Sequence, residues 1–267
     1  MIDFISIESS ENKLIKLVKS LSQKKYREKE GLFFTEGLRF VQDALDSSWE
    51  VSSVFVSETF KEKFIKTRKI SLTNKNPELY CLPDKLFNEI SDTNSPQGIL
   101  AVIKMREYDP ESVIFGPNLF LLLDGLQDPG NMGTIIRSAD AAGFNAIIMT
   151  EGCVDIYNPK VVRSTAGSLF HIPCITASDV SKMLDLLRLN EIKIYCASAS
   201  AKKYCYQFDL HENVVFAIGN EANGLSAKVT ENADDSISIP ILGRAESLNA
   251  SVAAGILLYE AIRQRLA

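Results

Sequence analysis

Three short segments concentrate the residue types that could do chemistry. The first runs Asp124-Gly-Leu-Gln-Asp-Pro-Gly-Asn-Met-Gly-Thr-Ile-Ile-Arg137, the second Gly219-Asn-Glu-Ala-Asn-Gly-Leu225, and the third Ile239-Pro-Ile-Leu-Gly-Arg-Ala-Glu-Ser-Leu-Asn-Ala-Ser251. Glycines such as Gly130, Gly133, Gly219, Gly224 and Gly243 let backbone approach a ligand closely or take a positive φ. Asn131 and Asn249 can cap a helix or offer an amide to a substrate. Arg137, in the first turns of the helix expected next, can fork onto a phosphate. One such segment alone ordinarily does no more than close a turn; three together form a more specific signature.

The elements around these segments suit that use. Leu119 to Leu123 is a continuous apolar run, as expected of a strand buried on both faces of a parallel sheet. Similar runs occupy 145–149, 192–197 and 214–218, with a shorter one at 236–240, and helical stretches separate them at about 133–143, 179–190 and 249–265. The three segments therefore fall where strands end and helices begin, which is where open α/β sheets bind ligands. Earlier in the chain, Leu14, Leu17, Val18 and Leu21 predict one amphipathic helix over 11–25. Strands at 32–35, 51–56 and 98–104 alternate with helices at 37–47, 58–67 and 84–91, indicating a small α/β domain. Two prolines and a glycine within 106–117 mark a linker, so the expected division is 1–105, the linker 106–117, and 118–267.

Composition narrows the class. An apolar fraction of 46% and a charged fraction of 24% are ordinary for a globular chain with its own core. No apolar run is long enough for a membrane span, and the first residues lack the basic and apolar regions of a secretory signal, so the cytoplasm is expected. Cys81, Cys153, Cys174, Cys196 and Cys205 are scattered, and His171 and His211 have no partner at ligand spacing, so neither disulfides nor a metal site is expected. The net charge of −5 is unevenly placed: residues 1–108 hold 17 basic against 16 acidic side chains, residues 109–267 hold 12 against 18. Within the first part, Lys13 to Lys29 gathers seven basic residues and one acid, a face that could meet phosphate or merely face solvent. The Gly-x-Gly-x-x-Gly fingerprint of dinucleotide enzymes follows none of the expected strands, the glycine loop of Rossmann-type methyltransferases is missing after Leu123, and there is no P-loop.

In order and spacing, the three segments resemble the motifs of the SpoU/TrmH family of RNA 2′-O-ribose methyltransferases, within the SPOUT superfamily. The first motif pairs an Asn with an Arg six residues on, here Asn131 and Arg137. The second has a Gly-x-Glu-x-x-Gly core, here Gly219, Glu221 and Gly224, and the third has Pro240, Gly243 and then Ser247, Leu248 and Asn249. Ala250 stands where many relatives carry Val, a small apolar exchange. Lys24-Lys25-Tyr26-Arg27 followed by Gly31 to Gly37 resembles that family's N-terminal substrate-binding module, itself similar to a small α/β ribosomal-protein fold that grips structured RNA.

The resemblance implies a catalytic domain with a mostly parallel sheet, its C-terminal segment threaded as a trefoil knot, and S-adenosylmethionine held by the second and third motifs. Gly219, Ile239 and Leu248 would contact that cofactor, with Ser198 a further candidate. Asn131, Glu221, Ser247 and Asn249 would orient Arg137, the ribose and the cofactor. The family proposal makes Arg137 the group that deprotonates the 2′-hydroxyl, helped by an RNA phosphate. A guanidinium holds its proton firmly, so phosphate anchor and polariser is the favoured role, with the base role left open. Lys24, Lys25 and Arg27 would meet RNA, and Tyr26 or Phe33 could stack on bases, although core packing is the favoured reading of Phe33. Ribosomal RNA is the first choice of substrate, transfer RNA stays open, and a non-catalytic RNA-binding assembly factor is the rival class. A homodimer is implied, with the helix at 249–265 near its interface.

Overall fold

The computed structural model describes residues 3–67, 77–114 and 118–267 (for 63–67, the backbone only); of the expected linker, 115–117 lie outside the described residues. Two compact units emerge, one of Met1–Arg106 with Asp155–Phe170, the other of Glu107–Val154 with His171–Ala267.

The first unit holds β1 (Ile5–Ser6), β2 (Leu32–Glu36), β3 (Val51–Ser57), β4 (Glu78–Leu82) and β5 (Ile99–Lys104) in the order β1-β4-β3-β5-β2. The sheet is mixed: β5 runs antiparallel to both β2 and β3, the other pairs parallel. Its helices are α1 (Lys13–Ser20), α2 (Lys24–Glu30), α3 (Leu38–Asp46), α4 (Glu58–Thr67) and α5 (Asp84–Ile90). The single helix expected over 11–25 is thus two. Ser20 and Ser22 hydroxyls donate to the Leu17 and Lys19 carbonyls, closing the first helix, and Gly31 in a left-handed conformation ends the second.

Residues 155–170, expected with the later half of the chain, group instead with this first unit. Arg27 is 2% exposed; its Nε lies 3.0 Å from the Asp155 carboxylate, and Nη1 donates to the Leu21 carbonyl at 2.7 Å. Tyr157 and Phe170 pack with Phe33 and Trp49 as an aromatic group, centroids 4.7–6.4 Å apart, and the Tyr157 hydroxyl donates to the Arg106 carbonyl. The basic cluster at Lys13–Lys29 therefore contributes one cation to the interior, which composition could not reveal.

In the second unit, after α6 (Pro110–Val113), every sheet pairing is parallel. Its strands are β6 (Leu119–Asp124), β7 (Ala146–Thr150), β8 (Cys174–Ala177), β9 (Lys193–Ala197), β10 (Lys203–Tyr204), β11 (Val214–Gly219) and β12 (Asp235–Ser238), ordered β10-β12-β9-β11-β6-β7-β8. The central β6 is buried at all six positions, which explains its unbroken apolar run. Helices are α7 (Pro129–Ala141), α8 (Pro159–Ser164, in the first unit), α9 (Val180–Leu189), α10 (Ala227–Thr230) and α11 (Ala250–Leu266). α11 packs on α7 and β11, which brings the chain's last helix beside the segment after β6. Among the described residues no helix is long and apolar enough to cross a membrane.

Candidate active site

The C-terminal ends of β6, β11 and β12 point the same way, because the strands are parallel, and all three motif segments leave from these ends. The first enters its helix earlier than expected. Asp128 caps α7, its Oδ1 accepting the Asn131 amide N–H at 2.7 Å, and Pro129 occupies the first turn. Asn131 is therefore already helical and its side chain is held at the helix start. The Asp-Pro pair was the signal that places this start, and the neighbouring glycines obscured it.

The second segment folds into a tight loop. Asn220 and Gly224 exchange reciprocal backbone hydrogen bonds of 2.9 Å each, with Gly224 at φ +69°. Gly219 sits directly under that bridge: a β-carbon there would lie 2.3 Å from the Gly224 carbonyl carbon and 2.4 Å from the Leu225 nitrogen. Only a hydrogen fits. The third segment ends where Asn249 caps α11, its Oδ1 accepting the Ser251 backbone N–H at 2.9 Å and the Ser251 hydroxyl at 2.7 Å.

These three constructions meet. Asn131 Nδ2 donates to Glu221 Oε1 at 2.7 Å, and Asn249 Nδ2 donates to Asn131 Oδ1 at 3.0 Å. The run has one polarity: the cap commits the Asn249 oxygen to Ser251, so its amide nitrogen turns to Asn131, whose own nitrogen then turns to the carboxylate. One N–H of each Asn and one oxygen of Glu221 have no partner among the described residues.

Beside the run lies a cleft of about 520 Å³, lined by Ser198, Gly219, Glu221, Ile239, Ser247, Leu248 and Asn249. Ile218, Leu225, Ile237, Ile241 and Leu257 make much of the remaining wall apolar. The volume and the mixture of apolar wall and polar rim fit a nucleoside-sized cofactor. Cys196 also borders it, but burial, with the nearby Asp124 charge adding, pushes its thiol up to about 11, so it stays a neutral wall residue.

Not every expected residue gathers here. Arg137 is exposed on α7, six residues past Asn131 and about 9 Å further along the axis; it makes no ion pair or hydrogen bond with the described residues and does not border the cleft. Lys24 and Lys25 are exposed on α2 in the first unit, Lys24 lying 3.6 Å from Glu28 and Lys25 6.0 Å above the Tyr26 ring. Arg27, expected to touch RNA, is instead buried against Asp155, and Phe33 is fully buried in the aromatic group, in keeping with the core packing favoured for it. Among the described residues no group of three or more His, Cys, Asp or Glu could hold a metal ion.

A family model described as the SpoU rRNA Methylase family matches residues 118–259, and one described as the MRM3-like substrate binding domain matches residues 12–101. The chain belongs to the SpoU rRNA methylase family. Among relatives, the 23S rRNA (guanosine(2553)-2′-O)-methyltransferase RlmP of Bacillus subtilis is 36% identical over 95% of this chain and 97% of its own length. The AdoMet-bound rRNA methyltransferase from Sinorhizobium meliloti superposes with a TM-score of 0.87 at 30% identity, covering 99% of each chain. The SpoU methyltransferase AviRb from Streptomyces viridochromogenes, solved with AdoMet, gives 0.85 at 29% identity over 96% of this chain and 98% of its own. As a SpoU methylase, this chain is an S-adenosylmethionine-dependent RNA methyltransferase, and its second unit carries the mostly parallel sheet of those structures.

Proposed function

We propose that this SpoU methylase methylates a ribose 2′-hydroxyl of ribosomal RNA in the cytoplasm. The observation that carries the reading is the Glu221–Asn131–Asn249 run, which draws three distant segments together at the rim of one cleft. The names of RlmP and of a Streptomyces viridochromogenes relative, both 23S rRNA 2′-O-methyltransferases, and the rRNA methylase family matched over 118–259 support ribosomal RNA.

S-adenosylmethionine supplies an electrophilic methyl group that an oxygen lone pair must approach in line. Gly219 offers bare backbone to it, and Ile239 and Leu248 an apolar wall. The unused N–H groups of Asn131 and Asn249 hold the ribose oxygens, and Ser247, exposed at the rim, adds a hydroxyl. Arg137 anchors an RNA phosphate and polarises the 2′-hydroxyl, whose proton passes to water as the oxygen–carbon bond forms and the carbon–sulfur bond breaks. Lys24 and Lys25 give the first unit its phosphate contacts. Purified protein incubated with tritiated cofactor should label ribosomal RNA and leave transfer RNA unlabelled. Label on transfer RNA alone would redirect the target, and no label on either would favour an RNA-binding assembly factor.

The same reading threads the C-terminal segment as a trefoil knot; the placement of β12 between β9 and β10, with α11 returning against β11, supports it. It also makes the enzyme a homodimer. Val252, Ile256 and Tyr259, at helical spacing on α11, are 50%, 38% and 53% exposed, an apolar stripe that a second copy would cover. Ile256→Asp is expected to halve the mass seen by sedimentation at micromolar concentration without loss of helix; an unchanged mass would remove α11 from the interface.

A further inference from the structure

Glu221 stands on an irregular loop, yet its carboxylate must stay 2.7 Å from Asn131 for the run to exist. Two hydrogen bonds pin that loop to the end of β6, one on each side of Glu221. Asn220 Nδ2 donates to the Gly125 carbonyl at 2.8 Å, and the Ser226 backbone N–H donates to Asp124 Oδ2 at 2.7 Å. The other Asp124 oxygen, Oδ1, accepts the Thr150 hydroxyl at 2.7 Å from the end of β7, and Thr150 Oγ1 accepts the Gly125 N–H at 3.1 Å.

Asp124 is 8% exposed and does not border the cleft. With each oxygen engaged by a group on a different neighbour, the carboxylate cannot swing, and hydrogen bonds shielded from water hold their geometry. A buried carboxylate is a costly choice where a turn alone is to be closed. Here it spans the ends of β7 and β6 and the loop after β11, the loop that carries Glu221.

We propose that Asp124 is a positioning residue for methyl transfer: by holding Ser226 it fixes the 219–226 loop and so sets the reach of Glu221 to Asn131. The inference rests on reading the Glu221–Asn131–Asn249 run as the methyl-transfer site. Asp124→Asn keeps the side chain's size and removes one acceptor. Ser226→Pro deletes the same hydrogen bond from the other side, at a φ of −65° that already suits proline.

Either variant should speed amide hydrogen exchange over 220–225 by about 10-fold. Either should weaken cofactor binding, read by calorimetry, by about 10-fold, and lower turnover roughly 10²-fold. The double variant should be no worse than either single one, and in a Glu221→Gln background Asp124→Asn should cost less than about threefold in turnover. Losses that multiply between the two variants, unchanged exchange in the loop, or a full loss in the Glu221→Gln background would each overturn the proposal. Exchange and calorimetry need no methyl transfer. A wild-type protein that labels no RNA would therefore defeat the proposed function, while these two measurements still decide the role of Asp124.

Discussion

Arg137→Ala should lower methyl transfer by roughly 10²–10³-fold, the loss typical of removing one charged group aimed at developing charge, while the dissociation constant for S-adenosylmethionine changes less than about twofold. The structure separates the two effects. Arg137 borders no part of the cleft, so removing it leaves the cofactor's contacts intact. It is exposed and unpartnered among the described residues, so the folded state loses nothing. Alanine is also the better helix former, and the melting temperature should hold or rise slightly. An exposed arginine with no structural task, on the helix that presents Asn131, is available for an RNA phosphate. Arg137→Lys distinguishes anchor from base. As an anchor, lysine should keep part of the activity with a flat pH profile, losing only the forked geometry. As a base, lysine loses its proton nearer pH ~10 than arginine does, and the variant should gain steeply as pH approaches that value. Full activity in Arg137→Ala would remove the residue from the mechanism.

What could be read from the sequence, and what could not, follows physical lines. Most buried strands of the second unit were legible because a strand covered on both faces must be apolar throughout, as at Leu119–Asp124 and Val214–Gly219, whereas the four-residue β8, with Thr176 exposed, was not read. The two-residue edge strands β1 and β10 have no such signature, and the five-residue β4 carries no alternation strong enough to mark it. The helix after β6 was expected from about residue 133 with Asn131 as a candidate cap, yet Asp128 and Pro129 start it earlier and leave Asn131 inside it. Charge alone cannot report burial, which is why Arg27 looked like its lysine neighbours while its guanidinium sits inside against Asp155. The motif residues were each named from the family resemblance. Their mutual contact was not derivable, because it depends on β11 lying beside β6 and on α11 packing against α7. Asp124 went unassigned for the same reason: its partners, the Ser226 N–H and the Thr150 hydroxyl, are distant in the chain.

Gly219→Ala tests how rigid that arrangement is. The added β-carbon would meet the Gly224 carbonyl carbon at 2.3 Å, the Leu225 nitrogen at 2.4 Å and the Gly224 oxygen at 2.5 Å, all backbone atoms that cannot rotate aside. The Asn220–Gly224 bridge must open or the whole loop must lift. Lifting it draws Glu221 from Asn131 and moves one wall of the cleft, so cofactor binding and turnover should fail together. Calorimetry should show S-adenosylmethionine affinity reduced by about 100-fold, and thermal unfolding a loss of about 1–3 kcal/mol, as for other overpacked sites. Two nearby glycines serve as controls because each isolates a different cost. Gly224→Ala places its β-carbon in open space at φ +69°, so only backbone strain of about 1–2 kcal/mol is expected. Gly243→Ala meets nothing within 4 Å and carries no positive φ, so it should bind cofactor as the wild type does. If Gly219→Ala instead bound as well as Gly243→Ala, the loop would be soft enough to absorb a displaced backbone. The 2.7 Å contact between Glu221 and Asn131 could then not be what organises the site.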